Sequence, residues 1–280
     1  CGVGQRAAAL GGTGQHGGIE NGIKEAFVTA WGNSGGYCSP FSVLPALMQF
    51  AENSKGNFDQ DSIKKKFKEI VGVDYDAYIA LDLPNILSFD QDLKKRYNPS
   101  KYLLYNDVLV GVYDSTIKIG GGEIYSQHSN KLKELESDRE YGYIFKTARK
   151  LCDCLYLKAD LGRRTRVAYQ QKDIFGLKEL IEKCYTPLIG ELKKLYQLFT
   201  AYWEKLYKPY SFETINIRFG GLIYRIQYVK KRLTAYINGK IKSVPELEEI
   251  LLDKNGGGTV YENKPILDSS WGAIVTLNIL

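Results

Sequence analysis

The chain has 280 residues, of which 44% are hydrophobic and 25% charged, with a formal net charge of +6. Those proportions describe a folded globular protein of one large domain or two modest ones, and they exclude a disordered or fibrous chain. No apolar run reaches the ~18 residues that cross a bilayer, and no charged and then apolar leader opens the chain, so neither a membrane span nor a secretory signal is expected.

Residues 1–18 are rich in glycine and nearly free of large apolar side chains. Gly12, Gly14 and Gly17 have the spacing of a dinucleotide-binding loop, but no strand leads into them and no helix opens on the last glycine. The stretch reads as a flexible leader or a non-native junction, and no cofactor is expected. His16 and His128 are the only histidines, and neither has a carboxylate or thiol at ligand spacing, so no metal site is expected. The five cysteines, Cys1, Cys38, Cys152, Cys154 and Cys184, form no framework spacing. They suit reduced thiols, and the expected location is the cytoplasm.

The next stretch carries the most information. Phe27-Val28-Thr29-Ala30-Trp31 is a short β-type run ending on a tryptophan. Gly32-Asn33-Ser34-Gly35-Gly36 breaks it into a polar loop, and a helix restarts at Ser42-Val43-Leu44-Pro45-Ala46-Leu47. Strand, loop and helix in that order form one βα unit, and in a (β/α)8 barrel the loop after a strand carries active-site residues. By residue type alone Trp31 is more readily a core residue than a floor for a sugar ring.

Beyond residue 55 the period is helical. Short helices are expected at 60–71, opening at Asp59, and at 173–184, opening at Asp173. Three long amphipathic helices follow from the apolar positions Tyr141 to Ala159, Leu188 to Leu206 and Ile215 to Ile237. Pro187 starts the second and Asn238-Gly239 stops the third. Lys101 to Asp114 is aromatic and β-branched with Asn106-Asp107 in its middle, which reads as an ordered connecting segment. At the end of the chain, 255–258 is a turn or loop and Trp271 to Thr276 a short strand.

Basic clusters stand at Lys64-Lys65-Lys66, Lys94-Lys95-Arg96, Arg163-Arg164-Thr165-Arg166 and Lys230-Lys231-Arg232. Acidic residues surround each, and no nucleic-acid-binding signature accompanies them. They are expected to be solvated helix faces, with no nucleic acid and no membrane as partner.

Two long motifs, Phe27 to Asn33 and Cys38 to Leu47, resemble the last barrel strand and helix of glycoside hydrolase family 20. The similar branch is the bacterial exo-β-N-acetylglucosaminidases with a helical C-terminal domain. Tyr102 to Asp107, Leu157 to Arg166 and Ile217 to Ile223 resemble further segments of that branch, in the same order. The fold expected is therefore mainly α, a helical bundle preceded by the final βα unit of a (β/α)8 barrel. Its divisions are 1–18, 19–55 for the βα unit, 56–253 for the helical domain and 254–280 for a tail.

The resemblance implies release of terminal β-linked N-acetylglucosamine from glycans or glycoconjugates by substrate-assisted catalysis. In that chemistry an Asp orients the acetamido group and the adjacent Glu protonates the leaving oxygen. Trp31 matches the tryptophan that closes the sugar pocket. Asn33 stands where the family has an acidic residue, so its bond to a sugar hydroxyl lacks charge assistance. Tyr105, Asn106 and Asp107 complete the candidate substrate-binding set. No Asp-Glu dipeptide occurs in the 280 residues, so no catalytic residue is assigned and the isolated chain is expected to be inactive. A lone strand leaves its backbone groups without partners, so pairing with a second copy in a homodimer, or with a short strand of the same chain near Val275, is expected. The competing expectation is a non-catalytic helical module for dimerisation, docking or glycan binding.

Overall fold

The computed structural model describes residues 18, 20–29, 37–87, 99–137 and 140–250. Among these residues the regular structure is helical and no strand occurs. Residues 23–29 carry no secondary structure. The expected strand is therefore not seen at 26–29, and its last residues, like the strand expected at Trp271 to Thr276, lie outside the described residues.

The helices run in chain order as α1 (Leu44–Asn53), α2 (Gln60–Val71), α3 (Tyr75–Ile79), α4 (Pro99–Tyr105), α5 (Ile124–Lys133) and α6 (Gly142–Lys158). They continue as α7 (Leu161–Gln170), α8 (Ile174–Leu180), α9 (Thr186–Leu206), α10 (Phe212–Ile237) and α11 (Pro245–Glu248). The caps explain the starts. Asp59 accepts from the Ser62 amide at 3.0 Å to open α2, and Asp173 accepts from the Gly176 amide at 2.8 Å to open α8. Gly239, at φ +67°, lets the chain turn out of α10 where a side chain would be strained.

The three long helices fall where the periodicity predicts them, at α6, α9 and α10. One boundary differs. The helix expected at 173–184 does not end before Pro187, because a π turn at Ile181–Tyr185 joins α8 to α9. Pro187 has no N–H to give the preceding turn, and the wider turn absorbs that loss while the Thr186 hydroxyl donates to Ile181 O at 2.7 Å.

Helix α6 is the centre of the bundle, packed between α5 and α9, with α10 against the far side of α9. Phe145, Cys152, Cys154 and Leu155 on α6 are fully buried, as are Leu188 and Leu192 on α9 and Val229 and Leu233 on α10. Each such aliphatic or aromatic side chain contributes about 1.5–3 kcal/mol by leaving water. A second aromatic knot ties the N-terminal helices on. Tyr78 meets Phe67, Tyr141 and Phe145 edge to face, and its hydroxyl donates to Phe41 O at 2.8 Å. The segment read as an ordered connector is the buried helix α4 followed by turns. Among the described residues no helix is long and apolar enough to cross a membrane.

Candidate functional site

The chain enters the helical core at Tyr37, six positions after Trp31. Trp31 and Asn33 lie outside the described residues, so the site is built from Tyr37 onward. Ser39 caps the short 3-10 turn Pro40–Val43, accepting from the Phe41 amide at 3.1 Å, and that fixes the direction in which α1 departs. The Tyr37 hydroxyl sits 2.6 Å from the Tyr105 hydroxyl. Its ring meets Phe199 at 5.4 Å. Two cations lie over the same ring, the Lys101 amine at 5.4 Å and the Arg218 guanidinium at 5.9 Å from its centre. Burial pushes both tyrosine hydroxyls above their ordinary range, so both are neutral donors near neutrality. The same burial lowers the Lys101 ammonium.

A cavity of about 50 Å³ opens beside Tyr37, lined by Cys38, Lys101, Phe199, Tyr202 and Phe219 among others. Its walls are largely apolar, and Lys101 is the charged group in them. A space of that size holds ordered water but not a pyranose ring. This arrangement therefore holds Tyr37 in place.

The structure does not gather Tyr105, Asn106 and Asp107 round one opening. Tyr105 ends α4 against Tyr37 and Phe219. Asn106 turns the other way. Its amide donates to Asp114 Oδ1 at 2.7 Å, and its side-chain oxygen accepts from the Tyr113 amide at 3.1 Å. Asp107 Oδ1 accepts from the Leu109 and Val110 amides at 2.9 and 3.0 Å. Both of its oxygens also receive Arg225, at 2.6 and 3.1 Å. Burial opposes the charge of Asp107, but Arg225 and the two amides outweigh it and hold the carboxyl below its usual value.

Asp114 is the opposite case. It is 1% exposed, and burial raises it to about 7 despite the Asn106 amide and the nearby Lys158, Arg166 and Arg163 charges. Lys158, 2% exposed, is lowered by burial to about 8. Its ammonium donates to Leu103 O at 2.9 Å and Asn106 O at 2.6 Å, the carbonyls left open where α4 ends. Neither Asp107 nor Asp114 lines the cavity beside Tyr37.

The arginine cluster corrects the expectation of a solvated face. Arg166, 6% exposed, donates to Leu109 O at 2.6 Å and to Glu246 O and Glu249 O at 3.0 Å each. Arg163 donates to Ile117 O at 2.6 Å. Arg164 bonds Asp160 at 2.9 Å, and Asp160 in turn accepts from the Gly120 amide at 2.7 Å. These side chains point inward because the loops round α7 present carbonyls that no helix or sheet satisfies. Gly162 packs closely, since a Cβ there would come 3.0 Å from Asp114 Oδ2 and 3.1 Å from Val108 O, tighter than an ordinary contact. The whole stretch Leu157 to Arg166 is a fastener between α4, the turns after it and α11.

Tyr37, Lys101 and Arg218 were not singled out from the sequence. The available signal was a lysine and an arginine opening two apolar motifs, Lys101 before Tyr102-Leu103-Leu104 and Arg218 before Phe219. Of the histidines, only His128 is described, and its ring bonds Ile86 O at 2.9 Å as a core residue. Cys38, Cys152, Cys154 and Cys184 are free thiols. Among the described residues no group of His, Cys, Asp and Glu is placed to hold a metal.

Comparison with known proteins gives a family. No curated protein matches the chain. The family profile described as Glycoside Hydrolase 20C C-terminal domain matches residues 76–263, from α3 through α11, and contains every fastener residue described above. That span covers more than half of the chain, and the chain belongs to the glycoside hydrolase 20C C-terminal domain family.

Proposed function

We propose that this chain is the C-terminal part of an exo-acting β-N-acetylhexosaminidase, which removes terminal β-linked N-acetylglucosamine by substrate-assisted catalysis. The family match over 76–263 is the observation that carries the reading. In it, Trp31 closes the sugar pocket with its flat apolar face and Asn33 bonds a ring hydroxyl. Tyr105 supports the loop through Tyr37, while Asn106 and Asp107 hold the turn beneath it. The helical domain is thus the mount on which the last barrel loop is fixed.

The chemistry itself needs an Asp to orient the acetamido group and a Glu to protonate the leaving oxygen. With no Asp-Glu pair in its sequence, the 280-residue chain alone is inactive in this reading. The exposed side chains of Phe27 and Val28, 88% and 42% accessible, support a strand that pairs with other barrel strands or with a second copy in a homodimer. Four free thiols support a reducing, cytoplasmic setting.

The test is hydrolysis of a chromogenic β-N-acetylglucosaminide by the chain alone and by a polypeptide in which it follows a barrel segment carrying an adjacent Asp-Glu pair. Turnover only by the longer form, lost on Trp31→Ala, is the expected result. Robust turnover by the chain alone would overturn the assignment of catalysis outside it.

A further inference from the structure

We infer that the C-terminal half of α10 carries a binding groove for an anionic saccharide, a sugar bearing carboxylate, sulfate or phosphate groups. A cleft of about 490 Å³ runs between the start of α9 and the end of α10. It is lined by Ile189, Gln227, Lys230, Lys231, Asn238 and Lys240, together with Thr234 and Ala235. The wall has no acidic residue, and three lysines converge on it.

The charge of this wall is not neutralised from within. Arg232, the third member of the sequence cluster, turns aside and pairs with Glu246. Lys64 and Lys66 in the first cluster pair with Asp76 and Glu52, and Arg164 in the third pairs with Asp160. Lys230, Lys231 and Lys240 have no ion pair among the described residues. Three uncompensated ammonium groups round one concavity attract a ligand with several negative charges.

Two further features favour a saccharide over a bare anion. Gln227 and Asn238 supply amide donors and acceptors for ring hydroxyls, and Ile189 supplies an apolar patch for a C–H face. Tyr224 stands one helical turn before Gln227 and two before Lys231 on the same side of α10, and its side chain is 75% exposed. Tyr228, 49% exposed, follows one turn later, with the Arg225 and Arg232 guanidiniums at 5.6 and 5.8 Å from its ring. Exposed tyrosines beside amides and ammoniums form a stacking platform next to a charged cleft. The choice of a saccharide rests on the glycosidase reading above; the anionic preference rests on the lysines alone.

The experiment is a titration of the 280-residue chain, followed by amide chemical shifts, with a sulfated heparin-derived hexasaccharide. The comparison probes are neutral chitohexaose, inorganic sulfate and a single-stranded oligonucleotide. The sulfated saccharide is expected to bind saturably at low salt, with shifts centred on residues 227–240, and to weaken as ionic strength rises. A Lys230→Gln, Lys231→Gln, Lys240→Gln variant, altered only at the groove surface, is expected to lose roughly tenfold or more in affinity. Tyr224→Ala is expected to weaken the saccharide and leave inorganic sulfate unchanged. Binding unaffected by the triple variant, or no binding by the native chain, would overturn the groove. Equal loss of sulfate and saccharide in Tyr224→Ala, or tighter binding of the oligonucleotide, would overturn the saccharide. Turnover by the longer polypeptide is read separately, so failure here leaves the hydrolase reading standing, and the reverse also holds.

Discussion

Replacing Asp114 by Asn is expected to remove the main source of a pH-dependent loss of stability. The folded carboxyl titrates at about 7 against 3.8 for the free side chain, because burial outweighs the Asn106 hydrogen bond and three nearby cations. A shift of about three pH units at 1.36 kcal/mol each is an order-of-magnitude cost of ~4 kcal/mol for holding the group ionised. The folded state keeps a proton that the unfolded state has released. The stability from this group is therefore fully present below about pH 4 and is lost as the pH rises through about 7. Lys158 does not blur that window. Its folded value is lowered to about 8 from 10.5, so it stays protonated in both states below neutrality. Its own contribution is present at alkaline pH and is lost as the pH falls through about 8. Urea unfolding followed by far-ultraviolet circular dichroism from about pH 5 to pH 7 measures the slope. The native chain should weaken across that range, and Asp114→Asn, which keeps an oxygen for the Asn106 amide, should be flatter and the more stable of the two at the upper end. A native chain that holds or gains stability toward the upper end, with the Asn variant the weaker of the two there, would refute the reasoning. It would mean that Asp114 is ionised and held by Lys158 and Arg166, with its carboxyl lowered by folding.

Gly162→Ala should destabilise the chain by about 1–3 kcal/mol, since its Cβ would press on the Asp114 carboxylate and Val108 O at 3.0–3.1 Å; thermal unfolding checks this. Lys158→Met should cost about 1–3 kcal/mol by leaving the Leu103 and Asn106 carbonyls unsatisfied in the core, read from the urea midpoint at unchanged slope. Tyr37→Phe should cost about 1 kcal/mol by removing one partner of the buried hydroxyl pair, and Tyr105→Phe alone should cost a similar amount. Gly221→Ala should act in the opposite direction. A Cβ there meets nothing within 4 Å on an exposed helix face, so the variant should gain up to about 1 kcal/mol, and a loss of melting temperature would contradict the open geometry.

Much of the fold was legible because it is written in apolar spacing. The buried positions of α6, α9 and α10 recur at steps of three and four, and Asp59 and Asp173 announce the two short helices whose first turns they cap. The join through Ile181–Tyr185 was not legible. A proline at Pro187 looks like a start whether or not a π turn carries the helix into it. The site was legible only in outline. Tyr105 could be named, but its partner Tyr37 is 68 residues away in sequence, and nothing local marks a hydroxyl pair of that kind. Arg163, Arg164 and Arg166 looked like a wet face because a run of charge normally is one. They turn inward because three loops end nearby with open carbonyls, which is a property of the assembled structure.

The polar motifs of this domain join protein to protein. A glycosidase motif invites a reading in terms of sugar contacts, yet each polar residue of Leu157 to Arg166 with a bond described above spends it on protein. Lys158 closes the end of α4, Asp160 holds Gly120, and Arg166 ties α7 to Leu109 and to the start and end of α11. Lys158 bonds the Asn106 carbonyl beyond the end of α4, and Arg225 ties the neighbouring Asp107 to α10. The same short helix α4 presents Lys101 and Tyr105 to Tyr37. Three motifs far apart in sequence thus converge on one short helix. A hydrogen-bonded fastener on one side of α4 and a tyrosine clamp on the other make it a rigid base. The polar motifs of this domain act on position, holding helices and turns to one another.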